Sequence, residues 1–449
     1  MSVVSRPLSR RDFLASGLVT VGSVLVGPAL WRRALAAPRV TDGPYGPLLA
    51  PDRNGISLPE GFSSRVMARS GERLHGYVWH DAPDGGATFA APGGWIYVSN
   101  SEVGGGGGGV GALRFDEDGE VVDSYPIASG TSRNCSGGPT PWGTWLSCEE
   151  VDTGRVWECD PTGDDPHEPL PALGVFTHEA AAVDPEHEHV YLTEDARDGR
   201  FYRFVPDRYP ELEAGTLQVA EVSGDGSVRW RDVPDPSASQ GPTRRQVASS
   251  TPFNGGEGTW FDAGVVYFTT KGDDRVWAYD TRSERMSLVH DPQTTQGTPL
   301  RGVDNLMVSA RSGDLFVAED GGNLEIVIIT PSDEIAPLLR VSGPEHDGSE
   351  LAGPALDPAG ERLYFSSQRG FDRGVTYEVT GPFRTTRVER PKSSAPSSAT
   401  PSASPLPLTQ DDDNSTVAVA AAAVGGAAVV GGAALTRRRL RRTADRSDA

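Results

Sequence analysis

The stretch GVFTHEAAAVDPEHEHVYLTED (Gly174–Asp195), followed five residues later by FYRFVP (Phe201–Pro206), holds the pattern that decides the fold. A polar opening leads into a short strand and a turn. An apolar second strand then ends on acids, and a third strand follows. This phrase recurs six times. The second strands read WIYVSN (Trp95–Asn100), TWLSCEE (Thr144–Glu150), HVYLTED (His189–Asp195), VVYFTTK (Val265–Lys271), DLFVAED (Asp314–Asp320) and RLYFSSQ (Arg362–Gln368). Five of the six are preceded by a Gly, as a hairpin turn requires. Repeats of roughly 45–50 residues built from short strands are the sequence sign of a β-propeller, so six copies predict an all-β, six-bladed β-propeller.

The repeat also places the chemistry. If the opening segment of each repeat is the innermost strand, its first residues lie at one mouth of the central channel. The second strand runs antiparallel and ends at the same mouth. One ring of residues is then Asp84, Cys135, Glu179, Glu257, Asp304 with Asn305, and Glu350. The other is Asn100 with Glu102, Glu149 with Glu150, Glu194 with Asp195, Lys271, Glu319 with Asp320, and Gln368. So many carboxylates cannot all stay ionised and dry, and bound cations are the simplest remedy. A solvated acidic rim without a ligand is the other reading. Cys135 occupies a position where other repeats carry Glu, and a thiolate among oxygen ligands points to a transition metal beside any calcium. Cys148 and Cys159 could face each other across a hairpin or serve as small core residues.

Charge divides the chain. Its 449 residues carry a net charge of −21, yet both ends are basic. The first 36 residues hold five Arg and one Asp, and residues 436–449 hold six Arg and two Asp. The part between them therefore holds 30 basic and 59 acidic residues. Such a body repels nucleic acid and anionic membrane surfaces. SRRDFL (Ser9–Leu14), a weakly apolar run and ALA (Ala34–Ala36) form a twin-arginine export pattern, so residues 1–37 are expected to be a signal peptide read by the twin-arginine translocase. The propeller is then expected over 38–385 and a Pro/Ser/Ala-rich stalk over 386–416. A charge-free segment over 417–435 has the length of a transmembrane anchor in the cell membrane, and 436–449 would be a basic cytoplasmic tail. The longer connection Pro206–Thr251 predicts an added outer strand or hairpin, and Gly104–Gly109 predicts a flexible loop near the mouth.

Over SRNCSGGPTPWGTWLSCEE (Ser132–Glu150) and Gly174–Asp195 the chain resembles the PhoX family of exported alkaline phosphatases. EGTWFD (Glu257–Asp262), VDNLMV (Val303–Val308) and AEDGGN (Ala318–Asn323) continue the likeness, which spans about Tyr45 to Gly381. The resemblance implies a propeller whose mouth holds two ferric and three calcium ions, with Cys135 ligating iron. It maps the family's cluster glutamates onto Glu149 or Glu150, Glu179, Glu194 and Glu257. Asp195, Asp304, Asn305, Glu319 and Asp320 follow as calcium ligands or their supports by motif position. The family also uses an arginine near the cluster, for which Arg133, Arg301 and Arg369 are the candidates, and Lys271 is a further candidate phosphate contact. The final repeat departs from the family pattern at SSQRG (Ser366–Gly370), where Gln-His-Pro-Gly is expected.

The reaction implied is metal-assisted hydrolysis of phosphate monoesters outside the cell, with no serine nucleophile. Two other readings use the same fold. One is a calcium-dependent lactonase or organophosphate hydrolase, which has no need of Cys135. The other is a surface-anchored propeller that binds without turnover.

Overall fold

The computed structural model describes residues 39–370 and 373–390. Among them are six sheets of four or more strands, antiparallel except where Arg39–Val40 joins one of them, and ordered from the channel outward as the chain runs apart from outer strands contributed by the segment before Pro83. The inner strands are Pro83–Ala91, Asn134–Pro139, His178–Asp184, Gly256–Asp262, Val303–Val308 and Leu351–Leu356, in blades 1 to 6. The second strands are Gly94–Ser101, Trp145–Glu149, His189–Glu194, Val265–Thr270, Leu315–Glu319 and Arg362–Ser367. No α-helix occurs among the described residues, only four short 3-10 turns. The expected signal peptide, most of the stalk, the anchor and the tail lie outside the described residues.

The second strands read as nearly unbroken apolar runs because each is buried on both faces, between neighbouring blades. Aromatic side chains fill those seams. Between blades 3 and 4, Phe201 stacks on Phe268 with centroids 4.4 Å apart, and Phe268 lies parallel to Trp277. Burial of such rings is the main favourable term in holding blades together.

The ring closes by exchange of an end. Ser63–Arg69, from before blade 1, pairs with Val375–Thr380 as the outermost strand of blade 6. Blade 5 gains two further partners, since Arg39–Val40 and Ile56–Ser57 both pair with its outer strand, Glu334–Val341. After blade 6 the chain crosses the face opposite the mouth. There Arg387 binds Asp262 at 2.6 Å, Arg390 binds Asp333 at 2.6 Å, and Arg384 stands 3.6 Å from Asp314. Residues 39 and 390 both lie on that face. The predicted extra strand is Val228–Asp232, the fifth of blade 3. The glycine run is less of a loop than expected, because Gly108–Asp116 is already the third strand of blade 1.

The inner strands approach one another closely around the axis. A Cβ at Gly138 would meet the carbonyl oxygen of Ala181, in the next blade, at 1.8 Å. Backbone cannot yield as a side chain does. Gly138→Ala is therefore expected to cost about 2–4 kcal/mol, read as a lowered Tm. An unchanged Tm would show that blades 2 and 3 are not packed this closely.

Candidate metal centre at the channel mouth

One backbone device repeats in all six blades. The residue just past each second strand is Glu102, Glu150, Asp195, Lys271, Asp320 or Gln368. Its N–H donates to the carbonyl just before the inner strand. The acceptors are Ala82 (3.0 Å), Arg133 (2.8 Å), Thr177 (3.1 Å), Gly255 (2.8 Å), Gly302 (2.7 Å) and Glu350 (3.0 Å). The inner strand then loses register with its partner over two residues. These are 84–85, 135–136, 179–180, 257–258, 304–305 and, one place later, 353–354. Such a bulge frees a residue from the ladder and re-aims its side chain. In blades 1 to 5 the first freed residue is Asp84, Cys135, Glu179, Glu257 or Asp304. In blade 6 it is Gly353 (φ 62°), where a Cβ would meet the Asp84 carbonyl at 2.5 Å, and Glu350 supplies the acid instead.

These side chains converge. Four groups have ligand atoms mutually within 4.8 Å: Cys135, Glu150 and Glu179; Glu179, Glu257 and Asp304; Asp304, Asp320 and Glu350; and Asp84, Glu102 and Glu350. Shared members link them into one cluster. Cys135 Sγ lies 3.3 Å from Glu179 Oε1 and 3.4 Å from Asp84 Oδ2. Asp195 lies beside Glu150, close enough for its charge to raise the Glu150 carboxyl.

The cluster is unsatisfied without a cation. Glu179 Oε2 is buried with no hydrogen-bond partner. Burial, and then the charge of Glu257, pushes the Glu179 carboxyl well above its usual range. Burial and Asp304 do the same to Glu257 and, with the same order of causes, to Asp84. Glu150 rises to about 7 through burial and Asp195, and Glu350 to about 11 through burial and Asp304. Burial pushes the Cys135 thiol up as well, with Asp84 and Glu179 adding to it. Lys271 is held between Glu257 Oε1 (3.1 Å, without hydrogen-bond geometry) and Asp320 Oδ2 (3.2 Å). Burial opposes its charge, but the surrounding carboxylates more than offset that. Nine carboxyls and a thiol against one lysine suit hard cations, with one softer position at Cys135.

Three expected ligands are placed elsewhere. Glu149, Glu194 and Glu319 end the second strands and turn back to hold backbone. Glu149 accepts from the N–H of Ser132 (2.8 Å) and Arg155 (3.2 Å). Glu319 accepts from the N–H of Arg301 (2.8 Å) and Glu325 (3.1 Å). Glu194 accepts from the N–H of Arg200 and the hydroxyl of Tyr202, and pairs with Arg244 at 3.0 Å. They therefore stand outside the four converging groups of ligand atoms. Successive strand residues face opposite ways, so of each acidic pair only the second reaches the mouth. Asn305 also acts as a support. It donates to Asp304 Oδ1 (2.8 Å) and accepts from the Gly353 N–H (2.7 Å). Glu319→Ala is expected to cost about 2–3 kcal/mol of stability, through two stranded N–H groups, while metal content is kept. Loss of a cation in that variant would restore Glu319 to the ligand set.

Asp84, Glu102 and Glu350 stand in the two rings but outside the ligand set carried over from the family. The signal that finds them is register: they occupy the same positions as the ligands of other blades, or the adjoining one. Arg133 and Arg369 lie at the rim, with side chains about half exposed at 53% and 49%. Both reach Glu102, Arg133 at 3.5 Å, and Arg369 also reaches Glu350 at 3.4 Å. Arg301 is exposed and enters through its backbone N–H alone. His178 is fully buried, stacked on Phe176 and bonded to the Gly174 carbonyl, which makes it structural. Cys148 and Cys159 are free thiols, buried in different interblade cores.

A family model described as alkaline phosphatase PhoX matches residues 98–370, more than half of the chain and every cluster residue but Asp84. The chain belongs to the PhoX family of alkaline phosphatases. A search of curated proteins found no match. Among solved structures, a gluconolactonase from Xanthomonas campestris is 15% identical, with 76% of this chain and 99% of that one covered and a TM-score of 0.43. A protein of unknown function from Bacteroides thetaiotaomicron is 10% identical over 72% and 78%, with a TM-score of 0.46. These two likenesses are too loose to bear on chemistry. As a PhoX protein the chain is a metal-dependent phosphatase acting on phosphate monoesters, a reading this match favours over the lactonase and binding-module ones.

Proposed function

We propose that this PhoX phosphatase works at the channel mouth with a mixed cluster of two ferric and three calcium ions. The observation that carries the reading is the convergence of Cys135 with Glu150 and Glu179, beside linked all-oxygen groups. Cys135, Glu150 and Glu179 would hold iron. Glu257, Asp304, Asp320, Glu350, Asp84 and Glu102 would hold the calcium positions, with Asp195 steadying Glu150. Bound there, the ions neutralise phosphate charge and supply Lewis-acid activation for hydrolysis.

The protein's own part is binding and orientation. Arg133 and Arg369 offer half-exposed guanidinium groups at the rim, where a phosphoryl group entering the mouth meets them first. Lys271 sits deeper and offsets carboxylate charge, paired with Glu257 and Asp320. The body is strongly acidic, so these cations and the bound metals reverse the field only locally. Arg369→Gln and Arg133→Gln are each expected to raise KM for p-nitrophenyl phosphate about tenfold, with metal content unchanged. Unchanged KM in both would remove the arginines from substrate binding.

The substrates proposed are small phosphate monoesters, taken outside the cell for phosphate supply. The SRRDFL pattern supports export through the twin-arginine translocase, which carries folded proteins and so allows metal loading beforehand. The charge-free segment at 417–435 supports a membrane anchor.

A further inference from the structure

At the mouth, blade 6 departs from blades 2, 3 and 5 and shares with blade 1 a second strand that ends on serine, Ser101 in blade 1. Where blades 2, 3 and 5 end the second strand on Glu149, Glu194 and Glu319, blade 6 has Ser367. A serine is too short to reach back to two backbone N–H groups. A relay of buried side chains stands in its place. His346 Nδ1 lies 2.8 Å from Ser367 Oγ, and Ser367 Oγ lies 2.8 Å from Ser349 Oγ. Ser349 Oγ accepts from the Arg369 N–H at 3.0 Å and donates to the Glu350 carbonyl at 3.2 Å. At the far end the Tyr377 hydroxyl lies 3.2 Å from His346 Nε2.

One set of protons satisfies the whole chain. Tyr377 donates to Nε2, and Nδ1–H donates to Ser367. Ser367 donates to Ser349, and Ser349 donates to Glu350. Each hydroxyl then has an acceptor, and the imidazole stays neutral, as its burial favours. His346, Ser349 and Ser367 are all buried, so a broken link would leave polar groups unpaired and the backbone of 349–350 and 369 free to shift. That backbone carries two groups at the mouth. Glu350 belongs to the cluster, and Arg369 is the rim cation that pairs with Glu102 and Glu350. The departure from the family pattern at Ser366–Gly370 falls on this segment.

We propose that His346 is a positioning residue for substrate binding, fixing Arg369 through Ser367 and Ser349. The inference rests on the reading of Arg369 as a phosphate contact. His346→Phe breaks the relay at its source, His346→Asn keeps a donor toward Ser367, and Ser349→Ala breaks the relay beside Arg369.

The test uses purified metal-loaded enzyme, p-nitrophenyl phosphate kinetics and calorimetric binding of inorganic phosphate. H346F and S349A are expected to raise KM and weaken phosphate binding by about tenfold, with kcat within about threefold and iron content unchanged. H346N recovers most of the loss. On an R369Q background H346F adds less than about twofold, because the group it positions is already gone. Unchanged KM and phosphate affinity in H346F and S349A would overturn the inference, and so would fully multiplicative effects with R369Q. An R369Q enzyme with normal KM would instead overturn the parent reading of Arg369, and this inference with it. The two failures are therefore separable.

Discussion

Replacing Cys135 by Ala is expected to remove iron and phosphatase activity together, with activity falling ~1,000-fold or more. Cys135 is the one sulfur in a cluster of carboxylates, freed by the blade 2 bulge and placed against Glu179 and Asp84. A thiolate favours iron over calcium, whereas carboxylates serve both. Cys135→Ser separates the two demands. It keeps a small polar group at the bulge but offers a hard oxygen, so calcium is kept while iron is lost. Cys148→Ala and Cys159→Ala, buried in interblade cores, should alter stability alone. Metal analysis and p-nitrophenyl phosphate hydrolysis of the four variants check this. An active, iron-loaded C135A enzyme would contradict it.

Stripped of its cations, the propeller is expected to lose stability as pH rises from about 5 to 8, by a Tm drop on the order of 5–10 °C relative to the loaded form. The cause is burial together with mutual repulsion of the cluster carboxyls. Their folded-state pKa values are raised, to about 6 at Asp304, about 7 at Glu150 and about 11 at Glu350. Below the ordinary carboxyl pKa both folded and unfolded chains hold these protons, and no penalty exists. Above it the unfolded chain releases them while the folded chain retains them, so each further rise in pH favours unfolding. The penalty of each group stops growing above its folded pKa. Cations remove it by taking the place of the protons, so metal uptake releases protons and the loaded enzyme should be nearly flat over this range. Thermal melts with and without chelator check the difference, and an apo Tm that is flat or rising would contradict the account. Glu179→Gln should flatten the apo curve in part while weakening metal binding.

The fold was legible because a propeller writes the same phrase once per blade, and the second strands are recognisable apolar runs. The two rings were legible for the same reason, since antiparallel neighbours meet at one mouth. Which member of each acidic pair faces the metal was not legible. Glu149 and Glu150 are chemically alike, and their roles separate only because the strand ends between them. Glu149 then turns to the N–H groups of Ser132 and Arg155 while Glu150 enters the cluster. The bulges were also invisible, since a two-residue slip leaves no mark beyond small residues such as Gly85 and Gly258. Glu350 escaped the family-based ligand set because the blade 6 bulge comes one residue late and carries Gly353, which moves the acid to the position before the strand. Lys271 turns to Glu257 and Asp320 rather than to its acidic sequence neighbours for a local reason. Asp273 is taken by Arg275, and Asp274 by the N–H of Gly302.

The most direct test of the central claim is elemental analysis of the propeller domain, purified from a host with a twin-arginine pathway, alongside its hydrolysis of p-nitrophenyl phosphate before and after chelation. The account predicts stoichiometric iron and calcium in one protein, with activity lost on their removal and regained on their return. A protein that hydrolyses the ester with neither metal bound, or one loaded with both that does not hydrolyse it, would contradict the account.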